Sequence, residues 1–207
     1  MLEPSLHLGH AILNRTTEVL ARHSENPANL DQFPLCGLPT PSDKRIAVVV
    51  HAFFEPEWQY ISAKLASLKM PYDLFVSINE QERHLLQEIP RSHPGAMVYV
   101  VPNWGRDVLP FLLLAHRLRK AGYEYVLKLH TKRSQHREDG DDWFKVLVDS
   151  LLSSTRRARK AIKKLESGAA LIGPRGHYVS LDRYMGGNEP HLEHLLCSVY
   201  GSSRAKI

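Results

Sequence analysis

Two short stretches of this sequence carry side chains whose types and spacing could do chemistry. The denser is Lys128-Leu129-His130-Thr131-Lys132-Arg133-Ser134. It runs off an apolar segment, Tyr125 to Leu129, that reads as a strand. Period-two alternation then puts Lys128, His130 and Lys132 on one face of the extended chain. Burying a lysine without a partner is costly. A diphosphate would be a natural partner, its charge neutralised by the lysines without a metal. His130 would serve as a hydrogen-bond donor or as a general base near neutral pH. Thr131 and Ser134 are candidate substrate contacts on the same segment. The plainer alternative is a strand emerging into solvent with a basic loop.

The second stretch is Asn103-Trp104-Gly105-Arg106-Asp107-Val108-Leu109-Pro110, which follows one strand pattern and opens a helical one. Gly105 allows close backbone approach, and a helix N-terminus favours an anion. Arg106 offers a forked donor for phosphate or carboxylate. Asp107 either caps the helix or positions a nucleotide or acceptor. The competing reading is a turn with a capping Asp and a solvent-facing Arg, and proline near a helix start is expected on structural grounds alone.

Single residues add less. His51 lies inside an apolar strand pattern and Asn79 ends another. An isolated histidine in such a strand is usually a satisfied core residue, but a strand end is where ligands bind. Asp139, Asp141 and Asp142 cluster beside Trp143, where helix-start capping competes with holding a cation or supplying a base. Asp142 is thus a second candidate base beside His130. Arg156, Arg157, Arg159, Lys160, Lys163 and Lys164 form a basic helix face, either solvated or in contact with anionic lipid or polymer. The pairs His7/His10 and His191/His194 read as structural or solvent-facing.

The elements that must position these groups alternate in type. Ile46 to Phe53, Tyr72 to Ile78, Ala96 to Val101 and Tyr125 to Leu129 read as strands. Helical patterns separate them over Trp58–Leu68, Gln81–Ile89 and Asp107–Ala121. This predicts parallel βαβ units in a mainly parallel sheet of about four or five strands, with helices on both faces. Such sheets bind ligands beyond the carboxyl ends of their strands. A helical pattern with Trp143, Val146, Leu147, Leu151 and Leu152 as its apolar stripe follows, one helix or a pair continuing to about Leu165; Ala169–Ile172 suggests a fifth short strand, and His191–Tyr200 a last helix. Residues 1–43, a helical stretch followed by Pro27, Pro34, Pro39 and Pro41, read as an appendage with a surface linker. Residues 44–207 form the α/β domain.

The 207 residues suffice for one well-buried domain or two small ones. At 43% hydrophobic and 24% charged, the composition excludes disorder and fibrous repeats. A net charge of +5 permits an anionic partner without requiring nucleic acid, and no aromatic residues interleave with the basic ones as strand binding would need. Cys36 and Cys197 show no zinc spacing and exclude a disulfide scaffold. No apolar run approaches the ~20 residues of a membrane span and no secretory leader is visible, so a cytoplasmic protein is expected. The P-loop, G-x-G-x-x-G, G-x-S-x-G and HExxH signatures are missing, which disfavours those enzyme classes.

Taken together, Asn103-x-Gly105-Arg106-Asp107-Val108-x-Pro110, Tyr125-Val126-Leu127-Lys128-Leu129-His130-Thr131-Lys132-x-Ser134 and Trp143 resemble the rhamnan synthesis protein F family. The Val-His-x-Phe-Phe pattern within Ile46–Phe54 and Gly186-Gly187-Asn188 match its other landmarks. The resemblance covers roughly Lys44 to Gly201. It implies a glycosyltransferase-like protein of rhamnose-containing cell-surface polysaccharides, including lipopolysaccharide O-antigen, with dTDP-rhamnose as donor and a polysaccharide or lipid-linked acceptor. The element order also parallels GT-A glycosyltransferases, a Rossmann-like arrangement. There the strand corresponding to Tyr125–Leu129 ends in a metal-holding Asp-x-Asp, whereas this chain has Lys128-Leu129-His130. The expectation is therefore donor binding by cations, with no cofactor and no metal site. The family's Phe-x-Ala-Gly-Thr-Met-Phe-Trp-like segment does not follow the last helix, which implies a domain shortened at its C-terminal end. The competing function is a non-catalytic carbohydrate- or nucleotide-binding module of an assembly complex. No nucleic-acid partner is expected, and residues 156–164 offer peripheral contact with the inner membrane.

Overall fold

The computed structural model describes residues 46–103, 105–132 and 140–177, with 180, 191, 194 and 197. The expected appendage over 1–43, Ser134 and Asp139, the Gly186-Gly187-Asn188 landmark and most of the expected last helix lie outside the described residues.

The strands form where β-branched and apolar residues run without interruption. Strand β1, Ile46–Ala52, is buried along nearly its whole length, and β2, Asp73–Ile78, along all of it. Strands β3, Met97–Val100, and β4, Tyr125–His130, are less covered. All pairings are parallel and the order is β3-β2-β1-β4. The two central strands are therefore the ones buried on both faces, as their composition requires.

Helix α1, Glu55–Ala66, joins β1 to β2, and helix α2, Leu85–Ser92, joins β2 to β3 after a 3-10 turn at Glu80–Glu82. Helix α3, Val108–Lys120, then carries the chain back past β1 to β4. Reversing the direction of travel with crossovers of one hand moves the connecting helix to the opposite face. The packing follows suit. Val48, Val50, Ala52, Leu74, Val76, Ile78 and Leu129 share one core with Trp58, Ile61 and Leu65 of α1 and Leu85 and Ile89 of α2. Phe144, Val148 and Leu152 of α4, Gly140–Leu152, complete it. The alternate residues of the strands face the other way, where α3 packs on β1. There Phe75 meets Tyr123 edge-on at 5.7 Å, and the Tyr123 hydroxyl donates to Asp73 at 2.7 Å. Helix α5, Thr155–Glu166, lies against α4 and buries none of its residues.

The α/β class with helices on both faces is thus as expected, and the described sheet has four strands. Ala169–Ile172, expected as a fifth, forms no strand. This run follows the turn at Gly168 (φ 104°), and Leu171 is 77% exposed. Four apolar residues make a strand only when a sheet edge accepts their backbone groups, and here none does. Among the described residues, no helix is long and apolar enough to cross a membrane.

Candidate functional site

Reversal of strand order places a topological switch between β1 and β4. The chain reaches β4 through α3 on one face, whereas α1, which follows β1, and α4, which follows β4, pack into one core on the other. Register makes this seam chemically distinctive. Tyr99, Ser77, His51 and His130 stand in one row across β3, β2, β1 and β4. One pleat earlier the row reads Met97, Phe75, Val49 and Lys128. Moving toward the carboxyl ends on the α3 face, the apolar Met97, Phe75 and Val49 give way to hydroxyls and imidazoles, with the Lys128 ammonium at the β4 end of the earlier row.

The row is wired internally. His51 is buried and its Nδ1 lies 2.9 Å from the Ser77 hydroxyl. The Lys128 ammonium donates to Asp107 Oδ2. The His130 Nδ1 stands 3.4 Å from both that same oxygen and the Lys128 Nζ. Asp107 occupies the N-cap position of α3 but makes no capping hydrogen bond. Its carboxylate turns to the strand end instead, which overturns the capping alternative. The reason is electrostatic: Lys128, 29% exposed, needs a counter-charge more than an exposed helix start needs a cap.

The connection that delivers Asp107 is tightly wound. Gly105 (φ 63°) and Arg106 (φ 52°) are both left-handed. A Cβ on Gly105 would lie 2.5 Å from the Leu109 Cβ, so only glycine fits. For arginine this backbone is strained. Its side chain is exposed and meets no carboxylate among the described residues.

These charges set the protonation states. Burial pushes the His130 imidazolium down, the Lys128 ammonium adds to that, and Asp107 opposes it. Burial likewise pushes His51 down, again against the pull of Asp107. For Asp107, burial acts upward, but Lys128 and His130 outweigh it and hold the carboxyl below its usual range. Two neutral imidazoles and a paired Lys–Asp are what this end of the sheet presents at neutral pH. A neutral imidazole beside a fixed carboxylate is equipped to accept a proton.

The profile of the rhamnan synthesis protein F family matches residues 36–180 of this chain. The chain belongs to that family. Membership connects it to rhamnan synthesis, the building of a polysaccharide. "Uncharacterized protein WxcX" of Xanthomonas campestris pv. campestris is similar too: 30% identical in strain B100, over 94% of this chain. The copy in strain ATCC 33913 is 28% identical over the same share. The chain spans 27% of the length of these curated relatives. No solved structure matches it.

All the residues of the row lie inside the stretch matched to the rhamnan synthesis family. Of the candidates drawn from sequence, His51, Asp107, Lys128 and His130 come together. Thr131 is buried and its hydroxyl accepts from the Phe53 and Phe54 N–H groups at 2.8 and 3.0 Å. It therefore ties β4 to the exit of β1. Asn79 is buried and accepts from the Glu82 N–H at 3.2 Å, capping the 3-10 turn. Lys132 lies over the Trp143 ring, 4.9 Å from its centroid. Asn103 is exposed beside Gly105. Asp142 is mostly exposed, with Lys145 at 3.9 Å, and makes no contact with the row.

Ser77 was not singled out from sequence. Period two within β2 puts it on the same face as Asn79, but only register opposes it to His51. Trp143 reads from sequence as a family landmark on a helix's apolar stripe. It supports Lys132 and donates its indole N–H to His177 Nε2 at 2.9 Å.

Proposed function

We propose that this domain transfers a sugar from a nucleoside diphosphate, L-rhamnose from dTDP-rhamnose, to a hydroxyl of a growing cell-surface polysaccharide or lipid-linked acceptor. The arrangement is GT-A-like without the Asp-x-Asp. The observation that carries the reading is His130, neutral and flanked by the Asp107–Lys128 pair at the switch in strand order. With its Nδ1–H directed at Asp107, the Nε2 of His130 takes the acceptor proton while the acceptor oxygen bonds to the anomeric carbon. The bond from that carbon to the diphosphate breaks, and the departing charge falls to Arg106 and Lys132. Lys128 already has Asp107 as counter-ion, so it fixes the carboxylate rather than the phosphates. A nucleotide-sugar donor also goes with a cytoplasmic site of action.

Donor binding and transfer separate the roles. In calorimetry with dTDP, Arg106→Ala and Lys132→Ala should each weaken binding at least ~10-fold, as loss of a charge-assisted contact does. His130→Ala should retain nucleotide binding and lose transfer. Unchanged dTDP affinity in Lys132→Ala sinks the proposal. Each assay is run with and without divalent cation, because the exposed Glu55, His84 and Glu88 hold ligand atoms within 4.8 Å of one another.

A second reading, a non-catalytic carbohydrate- or nucleotide-binding module, is favoured by one observation: the sheet-end lysine is neutralised within the protein. Tight nucleotide binding with neither transfer nor donor hydrolysis would select it.

A further inference from the structure

Helix α5 carries a second feature that the strand-end chemistry does not use. Six of its twelve residues are basic and none is buried. Two of the six are engaged with the protein: Arg157 donates to the Ser150 carbonyl and Arg159 to the Lys69 carbonyl, both at 3.2 Å. Arg156, Lys160, Lys163 and Lys164 have no acidic partner among the described residues. Their spacing of four, seven and eight residues from Arg156 sets them on one side of the helix. The result is a cationic stripe about 12 Å long, from a rise of about 1.5 Å per residue. Ala158, Ile162 and Leu165 are only half-buried and the helix rests on α4, so it is held in place rather than free to insert. Shortly beyond its end, Leu171 is 77% exposed.

We propose that α5 and Leu171 form a docking surface for an anionic phospholipid bilayer. Four cations with no acidic partner among the described residues complement a plane of negative headgroups, and the exposed leucine that follows the helix in the chain supplies a shallow apolar contact. A nucleic acid would need a groove or stacking rings, and the described residues of this helix and of the turn after it include no aromatic side chain. Adsorption of this kind is electrostatic first, so it weakens with salt. It does not depend on what the strand ends bind, and it stands or falls separately from sugar transfer.

Co-sedimentation of the 207-residue chain with vesicles tests it. Vesicles of phosphatidylcholine with about a third phosphatidylglycerol should bind the chain at low salt, and pure phosphatidylcholine should not. Each basic residue near such a surface contributes about five-fold in affinity. The quadruple variant Arg156→Gln/Lys160→Gln/Lys163→Gln/Lys164→Gln should therefore lose roughly 600-fold. Leu171→Ser should weaken binding less and leave the salt dependence intact. All positions are exposed, and circular dichroism verifies that both variants keep their fold. Vesicle binding unchanged in the quadruple variant overturns the proposal. So does tighter binding to duplex or single-stranded DNA than to the anionic vesicles at equal salt.

Discussion

Thr131→Val replaces a hydroxyl by a methyl of nearly equal volume at the point where β4 leaves the sheet. The Thr131 oxygen accepts from two successive backbone N–H groups, those of Phe53 and Phe54, and the residue is 5% exposed. Valine fills the space and accepts neither. A buried donor left unsatisfied costs about 1–3 kcal/mol. Phe53 and Phe54 are half-buried, so the low end applies and the two together come to about 2 kcal/mol. That is a large share of the ~5–15 kcal/mol that holds a domain together. Urea denaturation should show the midpoint fall by about 1 M, given slopes of ~1–3 kcal/mol per molar for small domains. Thr131→Ser is the control. It keeps the oxygen and loses one buried methyl, about 0.8 kcal/mol, and so should rank between the natural protein and the valine variant. If valine lies within about 0.5 kcal/mol of threonine, or serine is the more damaging change, the hydroxyl is not what ties these strand ends and the reasoning fails.

The remaining predictions concern charge and backbone. Lys128→Met should raise the His130 titration midpoint by removing a like charge and exposing the imidazole to an unpaired Asp107; Asp107→Asn should lower it. Carbon-detected histidine NMR titration reads both signs, and parallel shifts would contradict the pairing. Burial depresses His51, His93 and His130 alike, so below the ordinary histidine value of 6.5 the unfolded chain binds more protons than the folded one. Their contribution to stability is full above that value and is lost as pH falls through the depressed folded values; urea midpoints at pH 7.5 and 5.5 should differ accordingly. Gly105→Ala should destabilise by roughly 1–3 kcal/mol, because the left-handed backbone and the Leu109 Cβ both exclude a methyl. Thermal denaturation measures it. Trp58→Ala should cost about 3–5 kcal/mol, since that side chain is 1% exposed in the core of α1, and fluorescence-independent calorimetry avoids losing the probe with the residue.

Patterning reached the sheet and half of the site. Runs such as Ile46–Ala52 and Asp73–Ile78 are buried on both faces, so composition alone marks them. Alternation put Lys128 and His130 on one face before any pairing was known. What alternation cannot give is the neighbour across the gap. Asp107 looked like a cap because helix starts recruit acids locally, and only the return of α3 past β1 brings Lys128 within its reach. Ser77 acquired meaning from register with His51, a relation between strands. Thr131 and Asn79 stood where ligands bind, yet each is occupied by backbone N–H groups that close the ends of β1 and β2. Ala169–Ile172 had the apolar residues of a strand and lacked a sheet edge to receive them. Local sequence records what a segment prefers, and the fold decides which partners exist.

Because β4 docks beside β1 only after β2, β3 and their helices have been laid down, His51 and His130 meet late in synthesis. The sequence as far as β3 carries His51 and Ser77 but neither the lysine nor the second imidazole. Non-local pairing of this kind is slow to form and is lost early when the edge frays. The complete row of side chains is thereby reserved for molecules that have finished folding, and fraying at the sheet margin takes it apart before the interior melts.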